Sequence, residues 1–514
     1  MKHLPRTHLS RRSLLKLSAA SVTLSSLSLP ALAQDIKELV IAYNVNLPSW
    51  DPTVGPSAVN PTIQGLYQSV FDRFIHQNPD LSFDAGLITD WGWNDDLSQI
   101  WMDVREGVSW HNGDPFTPED VVWSLERAGN PDTGNPIQFV WSKVGNYAIE
   151  GSRITADVLE YEPTLFKWMA FLTGYVLPKK YYEEVGAAGF EDAPIGTGPY
   201  KVERFERNAF VRLTANPDYY RGAPEFESVT IKFVTDAASR VAEIESGNSH
   251  VTLEIPYEEF DRLKDTAGLS GTSAPISDIG MIFLNDIDVM TDPNVRMAAA
   301  HAIDKSLIVE RLLSGYGVPI DTLQTPEYSA FDATINVAYD PDKAVELLAA
   351  SGYSTDNPVR FTIQTTRGFK PKDYEIIQAI VGLWRRVGIE AEIEVYEIAK
   401  HFELRAADQL APAAFYNWGN AVGDPTTSTG FAMFGPSPHS VWDGEELIAK
   451  IGPLWGEADE DKRIAGWKEV DRYIAENALV IPLMQYVQPI LHAVGVNVVP
   501  HASGALLPAL MTRA

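Results

Sequence analysis

The clearest hydrophobic pattern in the chain lies between residues 359 and 395. Val359, Phe361 and Ile363 alternate with polar neighbours, which predicts a strand, and Ile389, Ala391, Ile393 and Val395 alternate again. Between them a helix is expected from about Asp373 to Val387, closed by Gly388. Strand, helix and strand in this order form a βαβ unit, and hence a piece of parallel sheet. The apolar run Leu39-Val40-Ile41-Ala42-Tyr43 predicts a first strand that gives way to Asn44, Asn46 and Pro48, and Ala413 to Tyr416 predict a later one. Ligands of open α/β sheets sit beyond the carboxyl ends of the strands. The loops after Thr365 and after Tyr416 are therefore candidate ligand loops.

Elsewhere the pattern alternates between the two periods. Ile100, Met102 and Val104 alternate, Asn112-Gly113 marks a turn, and Thr117, Pro118 and Asp120 read as N-cap, N1 and N3, so a hairpin feeding a helix is expected. The breaker-rich segment Pro194 to Tyr200, followed by strand-like Val202, Phe205, Phe210, Val211 and Leu213, reads as a crossing between lobes. Asp292-Pro293 opens a helical stretch through Val295, Ile303, Leu307 and Leu313 to Gly315, which Asp304 divides. Asp340-Pro341 to Gly352 predicts a short helix through Val345, Leu347 and Leu348.

At 514 residues the chain is long enough for two to four lobes, each with its own core. The absence of cysteine removes disulfides, thiolate metal sites and cysteine nucleophiles, and says nothing about compartment. The N-terminus does. Residues 1–33 hold Lys2, Arg6, Arg11, Arg12 and Lys16 and no acid, then a serine-diluted apolar run from Leu14 to Leu29, then Ala31-Leu32-Ala33. This predicts an export signal cleaved after Ala33. The Arg11-Arg12 pair gives it a twin-arginine character, with a general secretory signal as the alternative. No cysteine follows for a lipid anchor, so a free protein of the periplasm is expected. Removing the five positive charges of the signal takes the formal charge from −28 to −33, which disfavours nucleic acid and anionic lipid as partners.

Catalytic patterns are missing. No His is followed by Glu, no G-x-S-x-G occurs, and no Gly-Lys pair is available for a phosphate loop. Gly196-Thr197-Gly198 lacks the third glycine of a dinucleotide fingerprint, and the ten His are scattered without ligand spacing. Neither a catalytic site, a metal nor a cofactor is expected.

Several segments, in order along nearly all of the expected mature chain, do carry a resemblance. They are Trp101 to Val108 with His111-Asn112-Gly113 and Asp120-Val121-Val122; Gly196 to Tyr200; Asn216-Pro217-Asp218-Tyr219-Tyr220; Val295-Arg296 with Ala302-Ile303-Asp304; and Tyr339 to Gly352. Together they resemble the family 5 extracytoplasmic solute-binding proteins, the dipeptide, oligopeptide and nickel-binding receptors of ABC importers. The resemblance implies an α/β fold of the type II periplasmic-binding-protein kind, two lobes with an extra subdomain, joined by two hinge crossings. Lobe I would take 34–75, 195–284 and 486–514, with the subdomain at 76–194, and lobe II would take 285–485. A monomer would clamp a solute between the lobes, and the permease subunits would read the closed form.

Within that resemblance one position departs. Peptide-binding members resemble Trp-x-x-Asp-x-x-Asp-Pro, whose first acid pairs with the peptide ammonium; here the segment is Trp418-Gly419-Asn420-Ala421-Val422-Gly423-Asp424-Pro425. The acid is replaced by Ala421, so a free amino terminus is not expected to be bound in that way. Asn420 or Asp424 could substitute, although Asp424 before Pro425 is equally suited to forming a turn. Arg367 lies about where dipeptide-binding members place an Arg that pairs with the ligand carboxylate; the alternative is a solvated loop residue. Trp418 would stack on the solute or fill the core, and Asn44 would offer an amide from the other lobe or simply form a turn. The leading expectation is a receptor for a peptide-like or other small organic solute. A sugar or metal-chelate receptor is the alternative within the family, and an exported enzyme the alternative outside it.

Overall fold

A computed structural model describes residues 36–55, 61–437, 440 and 442–514. The expected export signal at 1–33 lies outside them. The architecture is dominated by one mixed sheet of eleven strands. At one end Glu38–Tyr43 runs parallel to Ser228–Phe233 and to Val251–Leu253, and Phe210–Ala215 and Tyr200–Glu206 extend that edge antiparallel. At the other end Val359–Thr365 runs parallel to Ile389–Val395 and to Ala413–Gly419, the βαβ unit and neighbour that the alternation predicts.

Two long antiparallel strands, Leu269–Leu284 and Val480–Ala493, belong to both ends and join them. Their pairing starts at Leu269 opposite Ala493 and ends at Phe283 opposite Val480, with register shifts between Pro275 and Ile279 and between Gly280 and Met281. Pro275 has no amide proton for the ladder, so the pairing is weakest at the midpoint, where the strand bends and re-aims its side chains. These strands are the crossings; Pro194 to Tyr200 is not one. Gly196 and Gly198 instead lie against the Val70 backbone, where a Cβ on Gly196 would come within 1.9 Å of the Val70 carbonyl oxygen, and Tyr200 then starts an edge strand of the sheet.

The second end of the sheet is covered by helices whose starts are chemically marked. Asp292, Asp304 and Asp340 each cap a helix by accepting a backbone N–H, and Asp304 does divide the stretch, into Pro293–His301 and Lys305–Leu312. These helices, Pro341–Ala350 and Asp373–Arg385 share one core with the strands beneath them, and Trp384 donates from its indole to the Ala299 carbonyl at 2.8 Å. Apolar period alone overstates that core, since Leu307 and Val345 are exposed.

A separate four-stranded antiparallel sheet, in the order Ile88–Trp93, Gln99–Val104, Arg153–Val158, Val144–Glu150, carries its own core with the Pro118–Gly129 helix. Asp120 marks that helix start, accepting from the Thr117 amide at 3.0 Å. The hairpin expected at Asn112-Gly113 shrinks to a single bridge between Ser109 and Pro115; Gln99–Val104 pairs with the other two strands instead. Ala421 and Val422 pack into this small sheet's core, so it also supports a loop of the large sheet.

Candidate functional site

The parallel strands of the two ends point their carboxyl ends at each other. Leu253 closes its strand opposite Ile490, level with Thr272, whereas Gly419 closes its strand opposite Asp278. Six residues of extended chain separate those levels, about 20 Å at ~3.3 Å per residue. The bulged midpoint of the crossing strands therefore floors a cleft whose walls are loops from both sets of strand ends, the place where an open α/β sheet holds a ligand.

From the second end, the loop after Thr365 is folded by a buried acid. Asp373 accepts hydrogen bonds from the amides of Gly368 (2.8 Å), Phe369 (3.0 Å) and Tyr374 (2.8 Å) and from the Thr366 hydroxyl (2.8 Å). The chain bends tightly around this carboxylate, with Gly368 and Lys372 at positive φ. As a result Arg367 and Lys370 part company. Arg367 is exposed, its guanidinium lying over the Tyr374 ring at 3.8 Å from the centroid. Lys370 turns inward, forms an ion pair with Asp278 on the cleft floor, and lies 5.5 Å from the Tyr486 ring centroid. Asn417 also donates to Asp278, at 2.9 Å. Burial alone would lower the Lys370 pKa, but Asp278 and Glu254 outweigh it and hold the ammonium above its ordinary value.

From the first end, Glu254 follows directly on Leu253 with φ of 53°, a left-handed conformation that non-glycine residues rarely adopt. Arg240 stabilises it: the guanidinium donates to the Glu254 carbonyl, to Leu253 at 3.1 Å and to Val234 at 2.8 Å, tying two strand ends together. Glu254, Tyr257, Lys370, Tyr486 and Gln488 surround a cavity of about 20 Å³ on the floor. A second small space is walled by Thr366, Lys370, His401, Tyr416 and Asn417. His401 stacks on Tyr416 at 5.1 Å, has no hydrogen-bond partner for either ring nitrogen among the described residues, and is pushed down to about pKa 4 by burial, with Arg405 adding to the effect. It is neutral at pH 7. Lys372 and Glu258 pair across the cleft at 2.7 Å, so the two sides touch. Two larger cavities, about 370 Å³ against residues 68–76, 219–225 and 507–512 and about 570 Å³ beside Asp288, Tyr353 and Arg360, lie away from the converging strand ends, and the topological argument outweighs their size.

The remaining candidate residues divide in two. Trp418 stands half-buried at the cleft wall, its indole N–H given to the Thr427 carbonyl at 2.9 Å and one side covered by Arg405. Asn44 follows the first strand with its side-chain oxygen buried and without a partner among the described residues. Asn420 and Asp424, by contrast, are already occupied, Asn420 within its own loop and Asp424 by cations from other elements. The Asn420 amide donates to the Asp424 carbonyl at 2.9 Å and to Ser428 at 3.1 Å. Asp424 is fully buried, paired with Arg463 through both oxygens (2.9 and 2.6 Å) and with Lys167 (2.6 Å), which hold its pKa far below the usual carboxylate range despite desolvation. Sequence reasoning missed Lys370, Asp278, Glu254 and Tyr486. The one available signal was at Asp278, the single charged residue of the strand Leu269–Leu284.

A mixed sheet divided about two long crossing strands, with opposed strand ends around the cleft, is the fold of the type II periplasmic binding proteins. Among solved structures, HbpA2 from Haemophilus parasuis superposes with a TM-score of 0.80 at 20% identity, over 93% of this chain and 100% of that one. A dipeptide binding protein from Pseudoalteromonas sp. SM9913, in complex with Met-Leu, gives 0.77 at 20% identity with the same coverage. The dipeptide-binding protein of Escherichia coli (strain K12) is 23% identical over 426 residues, 76% of this chain and 79% of its own. Residues 83–437 match the model of the bacterial extracellular solute-binding proteins, family 5, and the chain belongs to that family. No helix among the described residues is long and apolar enough to cross a membrane.

Proposed function

We propose that the protein is the periplasmic receptor of an ABC importer, exported by its twin-arginine-like signal, cleaved after Ala33, and working as a monomer with permease subunits. The lobes follow the division 34–75, 195–284 and 486–514 against 285–485, with 76–194 as the subdomain. The solute is peptide-like or another small organic molecule, captured and released unchanged. The observation that carries this reading is the convergence of both sets of strand ends on the bulged crossing strands, where Asp278, Lys370 and Glu254 meet. Family members named for dipeptide binding support the peptide-like class.

Ala421 gives that reading its particular content. It is buried against the small sheet's core and offers only its carbonyl, which accepts from Gln77 at 2.7 Å. The usual acid for a peptide amino terminus is therefore missing, and plain di- and tripeptides are expected to bind weakly. Asn44 and Trp418 stand as wall residues of the site, and Lys370, rather than Arg367, is the cation turned inward. Mass spectrometry of material released by denaturing the purified protein tests the reading. A single solute recovered chemically intact, which on re-addition raises the melting temperature and contracts the molecule in solution scattering, is the expected result. A chemically altered product, or scattering that no solute changes, would refute it.

A further inference from the structure

The charges around the cleft floor do not balance. Lys370 is committed to Asp278, which Asn417 also supports. Glu254 has no ion-pair partner among the described residues, and its carboxylate receives only a long contact of 3.3 Å from the Gln488 amide. It nevertheless lines an interior space of about 20 Å³, enough for about one water. Glu254 is partly buried, and with two acids near one ammonium the group keeps one negative charge in excess until a positive charge arrives.

Two independent features mark the spot as built rather than accidental. The backbone of Glu254 is held at φ 53° by the Arg240 clamp, which fixes where the side chain starts. In the same wall the Tyr486 hydroxyl is buried, with 3% of the residue exposed, and has no hydrogen-bond partner among the described residues. An unfilled hydroxyl and a carboxylate without an ion-pair partner among the described residues thus line one space, a lining suited to N–H groups.

We propose that Glu254, in the cavity that Tyr486 also lines, receives a cationic group of the solute, an ammonium or guanidinium, so that the acid missing at position 421 is replaced from the opposite wall of the cleft. This rests on the receptor reading above. The rival, a solute carboxylate seated on Lys370, would bring a third anion against Asp278 and Glu254, whereas a cation neutralises the group. The cavity is too small for a solute in the present arrangement; separating the Lys370 and Glu254 walls is what admits one.

The test uses the full mature protein, its Glu254→Gln variant and a control, Glu259→Gln, which removes the same charge from the exposed face of the Tyr257–Leu263 helix. Probes are N-acetyl-L-lysine, N-acetyl-L-norleucine and N-acetyl-L-glutamate, titrated calorimetrically, alongside the charge of any solute that co-purifies. The wild type and the control are expected to bind N-acetyl-L-lysine about tenfold or more tightly than the norleucine probe, and Glu254→Gln to erase that preference. A co-purified solute with a basic group, depleted from Glu254→Gln alone, supports the same conclusion. Equal binding of the three probes by the wild type, a preference that survives in Glu254→Gln, or a co-purified solute without a basic group overturns the proposal while leaving the receptor reading intact. No solute, no probe binding and no change in scattering would bring down the receptor reading, and this proposal with it.

Discussion

Two loops follow neighbouring parallel strands, each is folded around a buried acid, and only one of them faces the cleft with a charge. Asp373 is neutralised by backbone amides and a hydroxyl, none of which is a cation, and the turn it creates leaves Lys370 free to reach Asp278. Asp424 is neutralised by two cations brought from elsewhere, Arg463 on the helix Glu460–Glu476 and Lys167 near the small sheet. Its loop is thereby tied outward to the neighbouring core, taking Ala421 and Val422 with it. The difference teaches that an acid in a recognisable motif acquires its role from what satisfies it. Asp424 matches a ligand motif and serves as an anchor; Asp373 matches none and shapes the binding wall.

The largest effect should come from breaking the anchor. Arg463 and Asp424 are both fully buried, so Arg463→Met leaves a buried carboxylate with Lys167 as its one remaining cation. A loss of about 3–5 kcal/mol is expected, read as a lowered denaturant midpoint at unchanged slope. Asp373→Ala should cost less, about 2–3 kcal/mol, because it strands amides near the surface that water can reach. It should, however, remove solute retention at temperatures where the fold persists, since Lys370 loses its orientation. If both variants affect only stability, the contrast between anchor and wall fails.

The pH dependence sharpens the same contrast, because a third acid stands behind the anchored loop. Asp471 is buried, accepts from the Thr429 hydroxyl at 2.7 Å, and has a second oxygen without a partner among the described residues. Burial pushes it up to about 7, with Asp332 adding to the rise. Its folded pKa lies above the unfolded value of about 3.9, so the native state binds the extra proton. The stability it contributes is full below about pH 4 and is lost as pH rises through 7, on the order of 4 kcal/mol. Asp424 works in the opposite direction: its contribution is present above the unfolded value and falls away as acid approaches the depressed folded pKa. Unfolding curves of Asp471→Asn between pH 5 and 8 should be flatter than those of the wild type. An unchanged slope would show that Asp471 is already ionised at neutral pH.

Much of this architecture was legible along the chain because it rests on local rules. Asp292, Asp304 and Asp340 cap where a short acid before a helix should, and the alternation from Val359 to Val395 gives the βαβ unit directly. Local rules fail where burial is decided by distant neighbours. Leu307 and Val345 keep helical period yet face water, because the core ends before it reaches them. The crossing strands were not legible either, since their bulge and pairing join residues some two hundred positions apart. The site suffered most, for Glu254, Asp278 and Lys370 become a group only after both ends of the sheet have turned toward each other.

The smallest expected effect concerns Arg367, and it is the most direct comparison with Lys370, three residues away on the same turn. A guanidinium that grips a buried solute carboxylate should weaken binding by about 1–3 kcal/mol when removed. Arg367 is exposed and stacked on Tyr374, a contact worth about 0.5–1 kcal/mol at such sites. Arg367→Ala is therefore expected to shift stability by less than about 1 kcal/mol and to leave solute retention unchanged. Lys370→Met, which removes a partly buried cation paired with Asp278, should alter retention measurably in the same assay. If the two variants behaved alike, the turn around Asp373 would have to invert when solute binds, carrying Arg367 in and Lys370 out. Calorimetric titration of both variants with one solute decides between a fixed wall and an inverting one.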